Sequence, residues 1–384
     1  MISLNAPNLS DKEVSTVKKT LKGGWVSGGK YINLFELNLK KYVKANYAVA
    51  CVNGTSALHL ALRLIGADEK SEIIIPNISF IATANATIYN NSSPIFLGTD
   101  EFFNLDVEVL KKFLKFKTFK KNGFTYNLVS RKKILALVVV HVFGNSANIS
   151  EIKNICKKNK IFLIEDAAES LGTYFKKNNK KIHTGTFGDI GCISFNANKI
   201  ITSGGGGMIL TNNSKIAERA RFLSNQAKKN DYFFSHPEIG YNFRLPNVNC
   251  AIGYEQLKKI DRFLKIKKRN FDYYVKFLDK KKIEVIKPPK YSLSNFWMCV
   301  IRFKVKKNLL NKAIKYLEKN KIQTRPVWKL LNEQQKFKNF QNFDTQKSKK
   351  NIFNCLCIPS STNLKLEQIR FISAKLNIFI KNNS

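Results

Sequence analysis

The run Ile134-Leu135-Ala136-Leu137-Val138-Val139-Val140-His141-Val142-Phe143 is the most apolar stretch of a 384-residue chain. It lacks the alternation of a strand with one wet face, so it predicts a central strand covered on both sides. Working outward, similar short apolar runs recur at 47–52, 72–76, 94–97, 161–165, 191–195 and 208–211. Helical patterns separate most of them, at 57–65, 80–89 and 150–159. Strands alternating with helices predict an α/β fold with a mainly parallel seven-stranded sheet. Two helices precede it, at 10–21 and 33–45, the first opened by Ser10 and Glu13 in capping-box spacing. Residues 101–133 interrupt the rhythm and read as an insertion or extended crossover, a helix followed by a Lys- and aromatic-rich loop. A helix at 214–223 and a long one at 249–278 lead out of this unit. Strands near 282–286 and 297–305 and helices near 307–320 and 366–377 make 280–384 a smaller C-terminal α/β unit. The chain is therefore expected to divide into a large domain at 1–260 and a small one at 261–384.

Lys and Arg number 66 against 27 Asp and Glu, a formal net charge of +39. The excess is mostly Lys, spread along the whole chain, as in Lys157-Lys158-Asn159-Lys160. A nucleic-acid surface gathers charge on one face beside Arg and stacking aromatics, so no nucleic-acid partner is expected. A salt-dependent attraction for anionic substrates is. The seven Cys are widely separated, and the one close pair, Cys355 and Cys357, has neither zinc nor redox spacing. They read as reduced thiols, with no metal site. No run reaches about 18 apolar residues, and Ile2 to Ser10 is too short and polar a stretch to read as a signal peptide. A cytoplasmic protein without a membrane span is the expectation.

In an open parallel sheet, ligands sit beyond the carboxyl ends of the strands. Four clusters fall there. Asn53-Gly54-Thr55-Ser56-Ala57 offers hydroxyls and amides at a helix start, which suits a phosphate or an ordinary cap. Glu165-Asp166-Ala167-Ala168-Glu169 ends a buried strand, where Asp166 can face a cationic ring nitrogen or cap the next helix. Ser194-Phe195-Asn196-Ala197-Asn198-Lys199 precedes four glycines, Gly204 to Gly207. A desolvated Lys199 there can form an imine with an aldehyde, or it is a surface Lys in a glycine loop. Pro76-Asn77-Ile78-Ser79-Phe80 places an aromatic that can stack on a flat ring or fill the core. Phosphate cradle, stacking surface, acid and imine-forming Lys together are what pyridoxal phosphate needs.

These segments, with Val140-His141-Val142-Phe143-Gly144, Gly185-Thr186-Phe187-Gly188-Asp189 and Gly240-Tyr241-Asn242-Phe243-Arg244, resemble the DegT/DnrJ/StrS sugar aminotransferases of pyridoxal-phosphate fold type I. The resemblance runs from about Leu4 to Leu364. It implies that Lys199 bonds to the cofactor and later moves the proton, and that Asp166 pairs with the ring nitrogen. Phe80 takes the stacking position, and Gly54, Thr55, Ser56 and Ser194 take phosphate positions. Glu169, often Gln in relatives, approaches the ring hydroxyl. Asn242 resembles an asparagine that reaches the phosphate of a neighbouring subunit's cofactor, which implies a homodimer with shared sites. The Asn-x-Asn-Lys form, the insertion and Thr324-Arg325-Pro326-Val327-Trp328 look most like a subgroup that aminates C4 of a UDP-linked 4-keto-6-deoxy-N-acetylhexosamine, with glutamate as donor and ping-pong kinetics. Substrate candidates are His141, Asn198, Arg325 and Trp328, although a structural ion pair is an equal reading of Arg325. His59, His183 and His236 read as structural. Alternatives are transamination of another nucleotide-linked keto sugar (GDP or dTDP, C3 or C4), a sugar dehydratase, or a non-catalytic nucleotide-sugar binder.

Overall fold

The computed structural model describes residues 1–384 apart from Asn179, Asp231, Tyr232 and Ser384. Seven strands form its central sheet: β1 (Tyr47–Cys51), β2 (Ser71–Pro76), β3 (Ser93–Leu97), β4 (Lys133–Val140), β5 (Phe162–Asp166), β6 (Ile190–Ser194) and β7 (Gly207–Thr211). Their spatial order is β1-β7-β6-β5-β4-β2-β3. All neighbours are parallel except β7, which runs antiparallel to both β1 and β6. The sheet is buried on both faces: every residue of β2 and β6, and all of β4 after Lys133, is buried. That burial explains the unbroken apolar runs.

The sheet is wider than the expected seven strands. The helix expected within 101–133 is Val107–Phe116, but the Lys-rich loop after it is a hairpin, Thr118–Lys121 with Phe124–Asn127, whose second strand pairs beside β4. Asn122 and Gly123 have positive φ at its turn, a backbone signal that the Lys-rich composition conceals. At the β3 edge of the sheet Asn342–Phe343 adds parallel to that strand. The central strand is shorter than expected. It ends at Val140, and the chain turns over Val142–Gly144 with Phe143 at φ 55°. Apolar residues continue because this turn is itself buried, so hydrophobicity alone cannot mark its start. The long helix expected at 249–278 is two, Asn247–Leu257 and Ile260–Phe277.

Beyond them lies a four-stranded antiparallel sheet in the order Ile283–Val285, Cys299–Phe303, Cys355–Ile358, Arg325–Pro326. The helices Leu310–Lys319 and Leu366–Asn383 pack on it around a core that includes Tyr274, Phe303, Leu317, Leu356 and Ile372. The two units trade ends. Ile2 pairs with Lys321 and Gln323, and Leu4 accepts from the amide of Ser360, which sews the N-terminal arm to the smaller sheet. Asn342–Phe343, from the smaller half of the sequence, joins the larger sheet. No helix among the described residues is long and apolar enough to cross a membrane.

Candidate active site

Strands β1, β2, β5 and β6 all deliver their carboxyl ends to one cavity of about 780 Å³. At the end of β1, Asn53 caps the helix Gly54–Leu64 by accepting from the Ser56 amide at 2.7 Å. The cap reading of this segment holds, and it leaves room for the phosphate reading. The cap occupies the third amide and leaves those of Gly54 and Thr55 at the helix start, where an anion is favoured. A Cβ on Gly54 would lie 2.9 Å from that of Ser194, and one on Gly207 would lie 2.4 Å from the Asn53 carbonyl oxygen. Glycine at these two positions lets β6 and β7 close against the helix and form the cradle.

Asp166, the last residue of β5, is 5% exposed. It accepts from the Thr83 hydroxyl at 2.7 Å and the Ala168 amide at 3.2 Å. Burial still pushes its carboxyl above the usual carboxylate range, because these bonds and the Lys199 charge only partly offset desolvation. A cationic ring nitrogen at this carboxylate would supply the missing compensation.

Lys199 follows β6 and keeps 14% of its side chain exposed, with Nζ 3.8 Å from Glu169 Oε1 and 4.3 Å from the centre of the Trp297 ring. Burial lowers its ammonium pKa, while Glu169 and Asp166 act in the opposite direction. Glu169 accepts from the Phe143 amide at 2.7 Å, a bond that the positive φ of Phe143 helps to aim. Burial raises Glu169 to about 7, against the pull of Lys199. A poised amine, a buried acid across from it and an anion cradle fit a phosphate-bearing pyridine aldehyde.

The DegT/DnrJ/EryC1/StrS aminotransferase family matches residues 7–377. The chain belongs to that family. GDP-perosamine synthase of Vibrio cholerae is 32% identical over 85% of each chain. The UDP-4-amino-4,6-dideoxy-N-acetyl-beta-L-altrosamine transaminase of Campylobacter jejuni serotype O:2 is 32% identical over 73% of this chain and 70% of its own. Among solved structures, PseC of Helicobacter pylori, an aminotransferase involved in the biosynthesis of pseudoaminic acid, superposes with a TM-score of 0.88. It is 26% identical and the match covers 99% of both chains. The protein is thus a pyridoxal-phosphate-dependent aminotransferase of nucleotide sugars with the fold type I architecture.

In this aminotransferase the expected residues do not all converge. Gly54, Thr55, Phe80, Asp166, Glu169, Ser194, Asn198, Lys199, Arg325 and Trp328 line the cavity. Phe80 lies just before the helix Ala82–Tyr89 rather than inside it and is 56% exposed, with its ring centre 6.3 Å from that of Trp328. Ser56 sits behind the cradle, its amide already taken by Asn53. His141 is fully buried and does not line the cavity. Its Nδ1 accepts from the Ala147 amide and its Nε2 faces Glu165 at 3.0 Å, so both ring nitrogens are engaged within the protein.

Glu165 is a hub. It accepts from the amides of Gly185, Phe187 and Gly188. Burial alone would raise its pKa, but these bonds and His141 outweigh burial and hold it low. The role of the Gly185–Asp189 motif follows: it wraps an anion that braces the end of β5. Asn242 is exposed and absent from the cavity wall of its own chain, bridged to Asn225. Sequence reasoning missed Thr83, Phe143 and Trp297. Thr83 and Phe143 look like ordinary helix and core residues. Trp297 is one of only three Trp in the chain, and that rarity was the one available signal.

Glu169 gives a pH prediction for the cofactor-free protein. Its folded value of about 7 lies above the ordinary 4.5. The folded state therefore holds this proton more tightly, and stability falls as pH rises from about 4.5 through 7. Glu169→Gln removes that loss and keeps an acceptor for the Phe143 amide. Its unfolding free energy should match wild type near pH 4.5 and exceed it above pH 7, by a margin of order 3 kcal/mol. Parallel pH profiles for the two proteins would contradict this.

Proposed function

We propose that this aminotransferase moves the amino group of glutamate to C4 of a UDP-linked 4-keto-6-deoxy-N-acetylhexosamine, and that it works as a homodimer with shared sites. The observation that carries this reading is the make-up of the cavity mouth. Phe80 and Trp328 line the cavity with Arg325 and Lys329, and Phe80, Arg325 and Lys329 are exposed there. An aromatic pair beside two cations suits a nucleoside diphosphate, with the guanidinium fork matched to phosphate oxygens. The similarity to the Campylobacter transaminase favours the UDP-linked sugar.

When bound, the cofactor supplies an aldehyde that takes up an amino group and a ring that draws electrons from the reacting carbon. The chain's own groups do the rest. The Gly54 and Thr55 amides with the Thr55 and Ser194 hydroxyls hold the phosphate. The Asp166 carboxylate keeps a ring proton in place. Lys199 Nζ, its proton affinity lowered by burial, gives up and takes back a proton beside the reacting carbon. Glu169 Oε1 balances that charge while it is present.

The similarity to GDP-perosamine synthase favours a second reading, a GDP-linked substrate. Product analysis with UDP-, GDP- and dTDP-linked keto sugars separates the two. A kcat/KM for the UDP sugar at least about tenfold above the others is expected. A preference for the GDP sugar overturns the first reading in favour of the second.

The homodimer reading rests on Asn242 and on exposed apolar side chains such as Val14, Leu21 and Trp25, the last 74% exposed, which call for a partner surface. Asn242→Ala should weaken cofactor retention by about tenfold through loss of one phosphate hydrogen bond, without dissociating the dimer in sedimentation. Unchanged retention would remove Asn242 from the site.

A further inference from the structure

Lys267, on the helix Ile260–Phe277, is a buried amine without an acid. It is 2% exposed and forms no ion pair among the described residues. Its Nζ donates instead to Asn5 Oδ1 at 2.9 Å and to the Trp297 carbonyl at 3.0 Å. These two residues then converge on one atom. Asn5 Nδ2 donates to the Asn198 carbonyl at 2.6 Å, and Trp297 Nε1 donates to the same oxygen at 2.7 Å. The carbonyl belongs to the residue immediately before Lys199, and the Trp297 ring lies 4.3 Å from Lys199 Nζ. Trp297 is braced from behind as well: its amide donates to Asn295 Oδ1, and Asn295 Nδ2 donates to the carbonyls of Glu169 and Leu171.

We propose that Lys267 is a positioning residue, one that uses Asn5 and Trp297 to fix the Asn198 carbonyl and hence the backbone from which Lys199 reaches the cofactor. The proposal rests on the reading of Lys199 as the cofactor-bonding amine. A Met would fill the same space without the cost of burying a charge. That cost is visible in the amine, which burial pushes down to about 7. Charged or neutral, the amine has at least two N–H groups, enough for both acceptors. The connection therefore survives its titration. Three remote segments meet at this one Nζ: the N-terminal arm, the helix entering the smaller unit, and the strand approach at Trp297.

The test compares purified wild type with Lys267→Met, Lys267→Arg, Asn5→Ala and the Lys267→Met/Asn5→Ala double variant. Melting temperature, the rate at which cofactor-free protein captures pyridoxal phosphate, the pH midpoint of the visible absorbance of the bound cofactor, kcat and KM are measured. Lys267→Met should melt at or above the wild-type temperature. Its kcat should fall about tenfold to a hundredfold, from small misplacement of a reacting group, with KM for glutamate little changed. Capture should slow and the absorbance midpoint should move by about half a pH unit or more. Lys267→Arg should recover part of each loss. Asn5→Ala should shift every readout the same way, and the double variant should be no worse than Lys267→Met alone.

A folded Lys267→Met with kcat within about twofold of wild type and an unmoved midpoint overturns the proposal. So does a double variant with additive losses. If Lys267→Met fails to fold, Asn5→Ala decides the matter by the same readouts. Borohydride fixation and peptide mapping of wild type keep the two claims apart. A tag on another lysine overturns the Lys199 reading and this proposal with it. A tag on Lys199 beside an unaffected Lys267→Met overturns positioning alone.

Discussion

Lys199→Ala abolishes amino transfer, lowering kcat by about four orders of magnitude, while the protein keeps its fold. The loss is large because in the proposed mechanism one amine does two jobs: it bonds the cofactor and it carries the proton. The fold survives because the side chain projects into a cavity rather than into packing. Truncation also leaves Glu169 without its nearest cation and raises that carboxyl further. Steady-state turnover and circular dichroism on the same sample check the claim. Residual activity near wild type would remove Lys199 from the chemistry.

Asp166→Asn lowers kcat by about 10²–10³-fold, the scale for losing one preorganised electrostatic contact. The amide can still accept from Thr83, so packing persists, but it cannot hold a ring proton. The cofactor-free variant should melt no lower than wild type. Asp166 is buried with its pKa raised, so its ionised form weakens the folded state as pH rises through the carboxylate range. Lower turnover together with undiminished stability is the signature to look for. A variant that loses both in step would make Asp166 structural.

The sheet was legible because burial on both faces gives its strands nearly unbroken apolar runs. The apolar runs at 47–52, 72–76 and 191–195 each lie within a residue or two of the strands Tyr47–Cys51, Ser71–Pro76 and Ile190–Ser194. The candidate cofactor cluster stood out for a related reason: acids and hydroxyls at the ends of buried strands interrupt the apolar pattern, although one of them, Glu165, braces the protein itself. What escaped were groups whose meaning lies in a partner far along the chain. Asn342–Phe343 becomes a strand only because the edge of β3 is open to it. His141 stood beside the site in sequence, yet its ring turns inward to Glu165. Lys267 is one lysine in a chain crowded with them, and no local pattern separates it from its neighbours on the same helix.

The trading of ends between the two units has a mechanical consequence. If they swung apart like a hinged jaw, the N-terminal arm would have to release Lys321, Gln323 and Ser360, and Asn342–Phe343 would have to peel from β3. Those fastenings lie on opposite units and resist separation from both sides. Loading and unloading of a bulky sugar ligand should therefore proceed by rearrangement of side chains at the rim, Phe80 and Trp328 foremost. Glutamate and the sugar would take turns in a chamber whose walls hold still.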